Sequence, residues 1–297
     1  MHTRNRKTAA FLLVLAQASA FAQESPPTVP VDARTQHAVV AQLVTQLNSN
    51  YVFPDVAAKL AKSLRAKDAG GVYAKATDAR AFSKALADDL RSVGHDLHFQ
   101  VEYDPEFGRG PADSHAVPSH EDAERMRRDV ASHGYGIDSV RRLPGNVGYM
   151  EVRGFGPAEF VGDAMTAAMK LLSGTDALIL DLRRNGGGEP DSVAYLLSHF
   201  FAEGDSRHLN DIYSRTDNTT RQYWTNPSVT SRYGKPIYVL TSKRTFSGGE
   251  LTRASLARAL GGDPDSADER RDGPADPIAE VKRAVQRRRL AGLDHDT

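Results

Sequence analysis

The sequence contains no cysteine. That excludes disulfides, thiolate zinc sites, iron–sulfur clusters and a cysteine nucleophile. Neither sign of charge is in excess, because 38 Lys and Arg balance 38 Asp and Glu, so no global field draws the chain to nucleic acid or to an anionic membrane surface. No segment approaches the roughly 20 apolar residues that span a bilayer. Neither a G-x-G-x-x-G register nor a G-x-x-x-x-G-K-[ST] loop is present, which removes the obvious nucleotide readings. H-E-x-x-H is missing too, and the histidines lack the spaced carboxylates of a convincing metal site. What remains is an ordinary globular chain of 297 residues, long enough for one or two domains with a sizeable core.

The N-terminus carries a targeting pattern. Arg4, Arg6 and Lys7 precede the apolar run Ala9 to Ala16, and two overlapping A-x-A patterns follow, Ala18-Ser19-Ala20 and Ala20-Phe21-Ala22. This is the three-part layout of a signal peptide over residues 1–22, and it predicts export to the periplasm or beyond the cell. Residues 23–31 are Pro-rich and polar and read as a linker.

Residues 32–95 read as a small helical domain. Val39, Val40, Leu43, Val44 and Leu47 recur at helical spacing. Pro54 suits the first turn of a second helix carrying Val56, Leu60 and Leu64, and Asp78 suits the cap of a third carrying Phe82, Leu86, Leu90 and Val93. His98 to Tyr103 alternates like a half-buried strand, and the polar stretch from Asp104 to about Ile137 reads as a long loop with a charged segment, 121–130. From there strands and helices alternate. Strands are expected at Val147–Val152, Ala177–Leu182 and Pro236–Leu240, with helices around 160–172, 193–200 and from Gly248. That order predicts an α/β core over residues 96–260 with a mainly parallel sheet buried on both faces. Residues 261–297 hold 16 charged residues in 37, so they can bury little and are expected to be disordered, with an exposed helix possible over 279–290.

Two motifs can carry chemistry. Asp181-Leu182-Arg183-Arg184-Asn185-Gly186-Gly187-Gly188 sits where an apolar strand gives way to a helix. Its bare amides can cradle an oxyanion, or the glycines can simply serve close packing. Thr245-Phe246-Ser247-Gly248-Gly249-Glu250 has the same strand-to-helix context. A serine there is either a hydroxyl nucleophile favoured by the helix N-terminus or a plain N-cap. Thr245 replaces the first glycine of G-x-S-x-G, so this is not an α/β-hydrolase elbow. A serine nucleophile needs a base, and His95 and His98 lie together at the entry to the expected strand.

Together these pieces resemble the tricorn/C-terminal-processing serine peptidase family, whose core belongs to the ClpP/crotonase-like folds. The branch is the one without a PDZ domain and related to interphotoreceptor retinoid-binding protein. The resemblance rests on Asn50-Tyr51-Val52-Phe53-Pro54, Asp96-Leu97-His98, Val147-Gly148-Tyr149, the Asp181–Gly188 run, Tyr213-Ser214-Arg215 and Thr245–Glu250. It implies an exported serine peptidase with Ser247 as nucleophile, His98 as general base, and an oxyanion hole of Gly248 with Gly187 or Gly188. It implies a peptide or protein substrate, and no cofactor, metal or nucleic acid.

The chain departs from the family after the expected nucleophile helix. Further strands and a Gly-rich loop there supply a glutamate, or a lysine in the Ser–Lys members; here the charged stretch from Gly261 stands in their place. Lys282 is the only lysine after Ser247, and its polar context does not suggest a dyad. This reads as a C-terminal part missing or altered, with peptidase activity impaired. The alternatives are a catalytically inactive binder of peptides or apolar ligands, and a truncated, non-functional fragment.

Overall fold

The computed structural model describes residues 29–105, 119–259, and 278, 279, 282, 283 and 286. The expected signal peptide lies outside the described residues, as does most of the linker and of the charged stretch 261–297. The chain divides into two compact units, 1–107 and 108–297.

The first unit is a three-helix bundle. Helix α1 (Ala33–Asn50) starts at Asp32, whose carboxylate accepts from the Thr35 N–H at 2.8 Å. Helix α2 (Pro54–Ala69) carries Pro54 in its first turn, where the missing N–H costs nothing. Helix α3 (Ala79–Gly94) is capped by Asp78, which accepts from the Arg80 and Ala81 N–H groups. Val40, Val44, Leu60, Leu64, Leu86 and Leu90 are all but sealed from solvent and form its core. Each such burial contributes about 1.5–3 kcal/mol. Among them lies one polar side chain, Gln36, whose amide donates to the carbonyls of Tyr73 and Ala76. The bond to Ala76 satisfies a carbonyl inside the apolar core, and the one to Tyr73 adds to the Ala76 N–H that this carbonyl already accepts.

The strand expected at 98–103 does not form. Asp96 Oδ1 accepts from the His98 N–H at 2.9 Å, turning the chain, and Arg91 Nε donates to the Phe99 carbonyl at 2.7 Å. The Phe99 ring then packs on Tyr51, with centroids 4.9 Å apart. Local side-chain bonds to the backbone have taken the place of a ladder.

The second unit is α/β. Its sheet combines β1 (Ile137–Leu143), β2 (Val147–Val152), β3 (Ala177–Asp181) and β6 (Ile237–Leu240), in the order β1-β2-β3-β6. β1 runs antiparallel to β2, and the other two pairings are parallel. Helices α5 (Ala158–Leu172), α6 (Pro190–Ser198) and α7 (Gly248–Ala259) follow β2, β3 and β6 respectively, with α6 and α7 reached through longer intervening segments. On one face Met150, Val152, Leu178 and Leu180 pack with Met165, Met169, Leu196 and Leu256. On the other, Val147, Tyr149, Ala177 and Ile179 pack with Tyr238, Leu240 and Ile278. Ile278 is one of five described residues of the charged stretch, all of them helical.

Four elements were not expected. Helix α4 (His120–Ser132) occupies much of the supposed long loop, and β1 follows it. A separate hairpin joins β4 (His208–Ser214) to β5 (Thr219–Trp224). Helix α4 has no buried residue. It is specified locally, by Ser119 at its N-cap and the pairs Asp122–Arg125 and Glu124–Arg127.

Candidate active site

β3 and β6 are neighbouring parallel strands, so the turns leaving their carboxyl ends emerge side by side, where open α/β sheets form binding crevices. Polar groups stitch the two turns together, Asn185 and Thr245 from buried positions and Ser242 from an exposed one. Asn185 is wholly buried. Its Nδ2 donates to the Val152 carbonyl at 3.0 Å, its Oδ1 accepts from the Gly187 N–H at 2.9 Å, and its own carbonyl accepts from the Phe246 N–H at 3.0 Å. Thr245 Oγ1 donates to the Leu182 carbonyl, and Ser242 Oγ donates to the Arg183 carbonyl.

The glycines are required by this closeness. A Cβ on Gly187, where φ is +93°, would lie 2.7 Å from the Ser247 Cβ. On Gly188, at φ +128°, it would lie 2.1 Å from the Phe155 carbonyl oxygen. Neither position can carry a side chain without moving backbone.

Ser247 sits at φ +49°, a left-handed conformation uncommon for a residue other than glycine, Asn or Asp. Strain of this kind persists where the surroundings impose it, and it clusters at functional sites. The residue stands immediately before α7, yet its hydroxyl does not cap that helix. The cap comes from Glu250, whose Oε2 accepts the Ser247 N–H at 3.2 Å. Among the described residues the Ser247 hydroxyl has no hydrogen-bond partner, and the residue is half-exposed. The plain N-cap alternative is therefore not what the structure adopts.

The three glycine amides differ. The Gly187 N–H is taken by Asn185. Among the described residues the N–H groups of Gly188 and Gly248 have no acceptor. Gly248 follows Ser247 directly, and Gly188 follows the residue packed on it. Beneath the loop Asp181 is buried and held by Arg183, at 2.9 Å from Nε and 2.5 Å from a terminal nitrogen, and by the Tyr149 hydroxyl at 2.7 Å. Burial pushes its pKa up, but these hydrogen bonds outweigh burial and hold the carboxyl below its ordinary value.

His98 belongs to the first unit and Ser247 to the second. The His98 ring lies with Nδ1 2.8 Å from Asp96 Oδ1, and Asp96 Oδ2 accepts from the Tyr51 hydroxyl at 3.0 Å. Partial burial raises Asp96, yet the His98 N–H groups and the Tyr51 hydroxyl leave it below its usual value. A carboxylate at Nδ1 favours the tautomer protonated there, with its basic lone pair on Nε2. His95, at φ +52°, is the C-cap of α3.

Asp96 and Asn185 received no role from the sequence, although each sits inside a quoted motif. Asp96 could have been found from its i, i+2 spacing to His98. Asn185 could not, because its partners Val152 and Phe246 are remote in sequence.

Residues 146–259 match the sequence model for Peptidase family S41. Residues 31–136 match the one for the N-terminal domain of Peptidase_S41 in eukaryotic IRBP. Among solved structures, the photosystem II D1 C-terminal processing protease is similar at 24% identity and TM-score 0.32, over 40% of this chain and 31% of that one. A candidate S41 protease from Bacteroides fragilis NCTC 9343 is similar at 22% identity and TM-score 0.36, over 41% and 36%. A candidate peptidase from Parabacteroides merdae ATCC 43184 is similar at 17% identity and TM-score 0.43, over 77% and 73%. The chain thus spans about a third of the first two proteins.

Proposed function

We propose, from the premise that the chain belongs to peptidase family S41, that it hydrolyses peptide bonds by acyl transfer through Ser247. The observation that carries this reading is a serine at left-handed φ, pressed against a glycine turn, whose hydroxyl makes no hydrogen bond among the described residues. In the proposed reaction Ser247 Oγ attacks the scissile carbonyl while His98 Nε2 takes its proton. The Gly188 and Gly248 N–H groups then hold the oxyanion; one such donor is worth about 2.7–4 kcal/mol of barrier. Gly187 supplies clearance, since its own N–H is committed to Asn185. His98 then protonates the leaving amine, and water releases the acyl group. No cofactor or metal enters.

Turnover is proposed to be weak, because the charged stretch 261–297 stands where relatives carry a further catalytic group. The basic and apolar N-terminus is proposed to direct export, and N-terminal sequencing of the exported protein should begin near Gln23. Among the described residues no helix is long and apolar enough to cross a membrane.

A second reading, a binder of peptides or apolar ligands without turnover, is favoured by one observation. Among the described residues the only titratable side chain hydrogen-bonded to Ser247 is Glu250, and it takes the backbone N–H rather than the hydroxyl. Hydrolysis of a quenched peptide library decides between the two. The peptidase reading expects cleavage that disappears in Ser247→Ala and falls by orders of magnitude in His98→Ala. Cleavage surviving in Ser247→Ala would end it.

A further inference from the structure

A groove of about 530 Å³ opens beside the glycine turn, between the segment 132–138 and Arg153–Gly154. One wall is a run of three consecutive left-handed residues, Gly134 at φ +63°, Tyr135 at +59° and Gly136 at +77°. Backbone meets backbone there: a Cβ on Gly136 would lie 2.2 Å from the Gly154 carbonyl oxygen, and the Arg153 N–H donates to the Gly136 carbonyl at 2.8 Å. The other wall leads to the proposed nucleophile. The Arg153 carbonyl accepts from the Gly186 N–H at 2.9 Å, and the Phe155 N–H donates to the Gly187 carbonyl at 2.9 Å. Gly187 in turn lies against Ser247. Whatever occupies the groove lies next to the chain that holds the candidate site.

Arg153 gives this groove its chemistry. Its side chain is 44% exposed, with Nε 3.3 Å from Glu151 and one terminal nitrogen 3.0 Å from Asp138. A guanidinium carries five N–H donors, so donors remain without an acceptor among the described residues. Turning Arg153 toward a ligand would leave no buried charge unpaired. Glu151 is held independently by Arg184, at 2.8 Å from Nε and 2.6 Å from a terminal nitrogen, while Asp138 is half-exposed with Arg184 3.7 Å away.

We infer that this groove binds the substrate peptide next to the cleaved bond and that Arg153 selects a carboxylate there. This rests on the peptidase reading for its link to catalysis, but not for the binding itself. The carboxylate can come from an acidic side chain or from the peptide's own C-terminus. Both present the same planar pair of oxygens to the guanidinium fork.

Binding to the full chain carrying Ser247→Ala, followed by fluorescence anisotropy, separates the groove from turnover. Four labelled peptides are needed, with Glu or Gln at one position and a free or amidated C-terminus. The expected result is roughly tenfold or more tighter binding of the carboxylate form, since only that form can make a charge-assisted pair with the guanidinium. Adding Arg153→Gln should abolish that preference, and Arg153→Lys should restore part of it. Binding of the amidated Gln peptide should not change, which controls for folding. Preference following the Glu/Gln arm assigns a side-chain carboxylate; preference following the free/amidated arm assigns the terminus. Equal binding of all four peptides, or a preference that survives Arg153→Gln, would overturn the inference. Loss of hydrolysis in the parent chain with this selectivity intact would sink the peptidase reading and leave the groove standing.

Discussion

The three-helix unit and the paired turns of the α/β unit are held by different forces. In the helical unit the fixed points are apolar: Val44, Leu64 and Leu86 are buried together, and the caps at Asp32 and Asp78 set where helices begin. At the candidate site the fixed points are polar groups with exact partners, chiefly Asn185 and Thr245. Apolar packing is non-directional and tolerates small shifts, whereas a buried amide linking two backbone groups fixes orientation as well as distance. The helical unit should therefore respond to substitution in stability, and the site in geometry.

The largest expected effect is at the site. Asn185→Ala leaves the Gly187 N–H and the Val152 carbonyl without their partner, at about 1–3 kcal/mol for each buried group. The Gly186–Gly188 turn then loses its side-chain anchor and keeps only its backbone bonds to Arg153 and Phe155, and peptide hydrolysis should fall roughly 100-fold, as when an oxyanion donor is lost. Urea denaturation and a hydrolysis assay on the folded variant measure the two parts; activity kept at reduced stability would erase the contrast. Next comes Leu86→Ala in the helical core, expected to cost about 2–5 kcal/mol, read as a lower urea midpoint. A change under 1 kcal/mol would mean this core is not close-packed.

The smallest effect is a pH dependence from His199, buried at the end of α6. Burial, and after it the nearby Arg232 charge, hold its pKa below the ordinary value, although the Ser231 carbonyl acts the other way. Below the unfolded value of about 6.5, the unfolded chain binds a proton that the native one refuses. Stability should thus fall as pH drops below about 6.5, by at most about 1.4 kcal/mol per pH unit. The slope should shrink in His199→Gln. A slope unchanged in that variant would assign the effect elsewhere.

Much of this was legible in sequence because local chemistry specifies it. Val40, Val44 and Leu47 mark α1 by spacing alone, Pro54 and Asp78 mark two helix starts, and β2, β3 and β6 are apolar runs with helices after them. What was not legible depends on neighbours. β1 is an edge strand, and its sequence Ile-Asp-Ser-Val-Arg-Arg-Leu is half polar because it is half exposed. Helix α4 buries no residue completely, and of its few apolar side chains Val130 is only partly covered by the core, so its apolar spacing is sparse. The stretch at 98–103 alternates like a strand, yet Asp96 turns it before any ladder can form. At the site, Ser247 and the glycines stood out by residue type, while Asn185 did not, because its importance lies in bonds to remote segments.

The central claim is that the oxygen of residue 247, unbonded among the described residues, is there to react. Intact-protein mass spectrometry after exposure to a fluorophosphonate tests it directly. The account predicts one adduct, mapped by peptide digestion to Ser247 and lost in Ser247→Ala. An unmodified protein at full occupancy of the folded state, or an adduct confined to another serine, would contradict it.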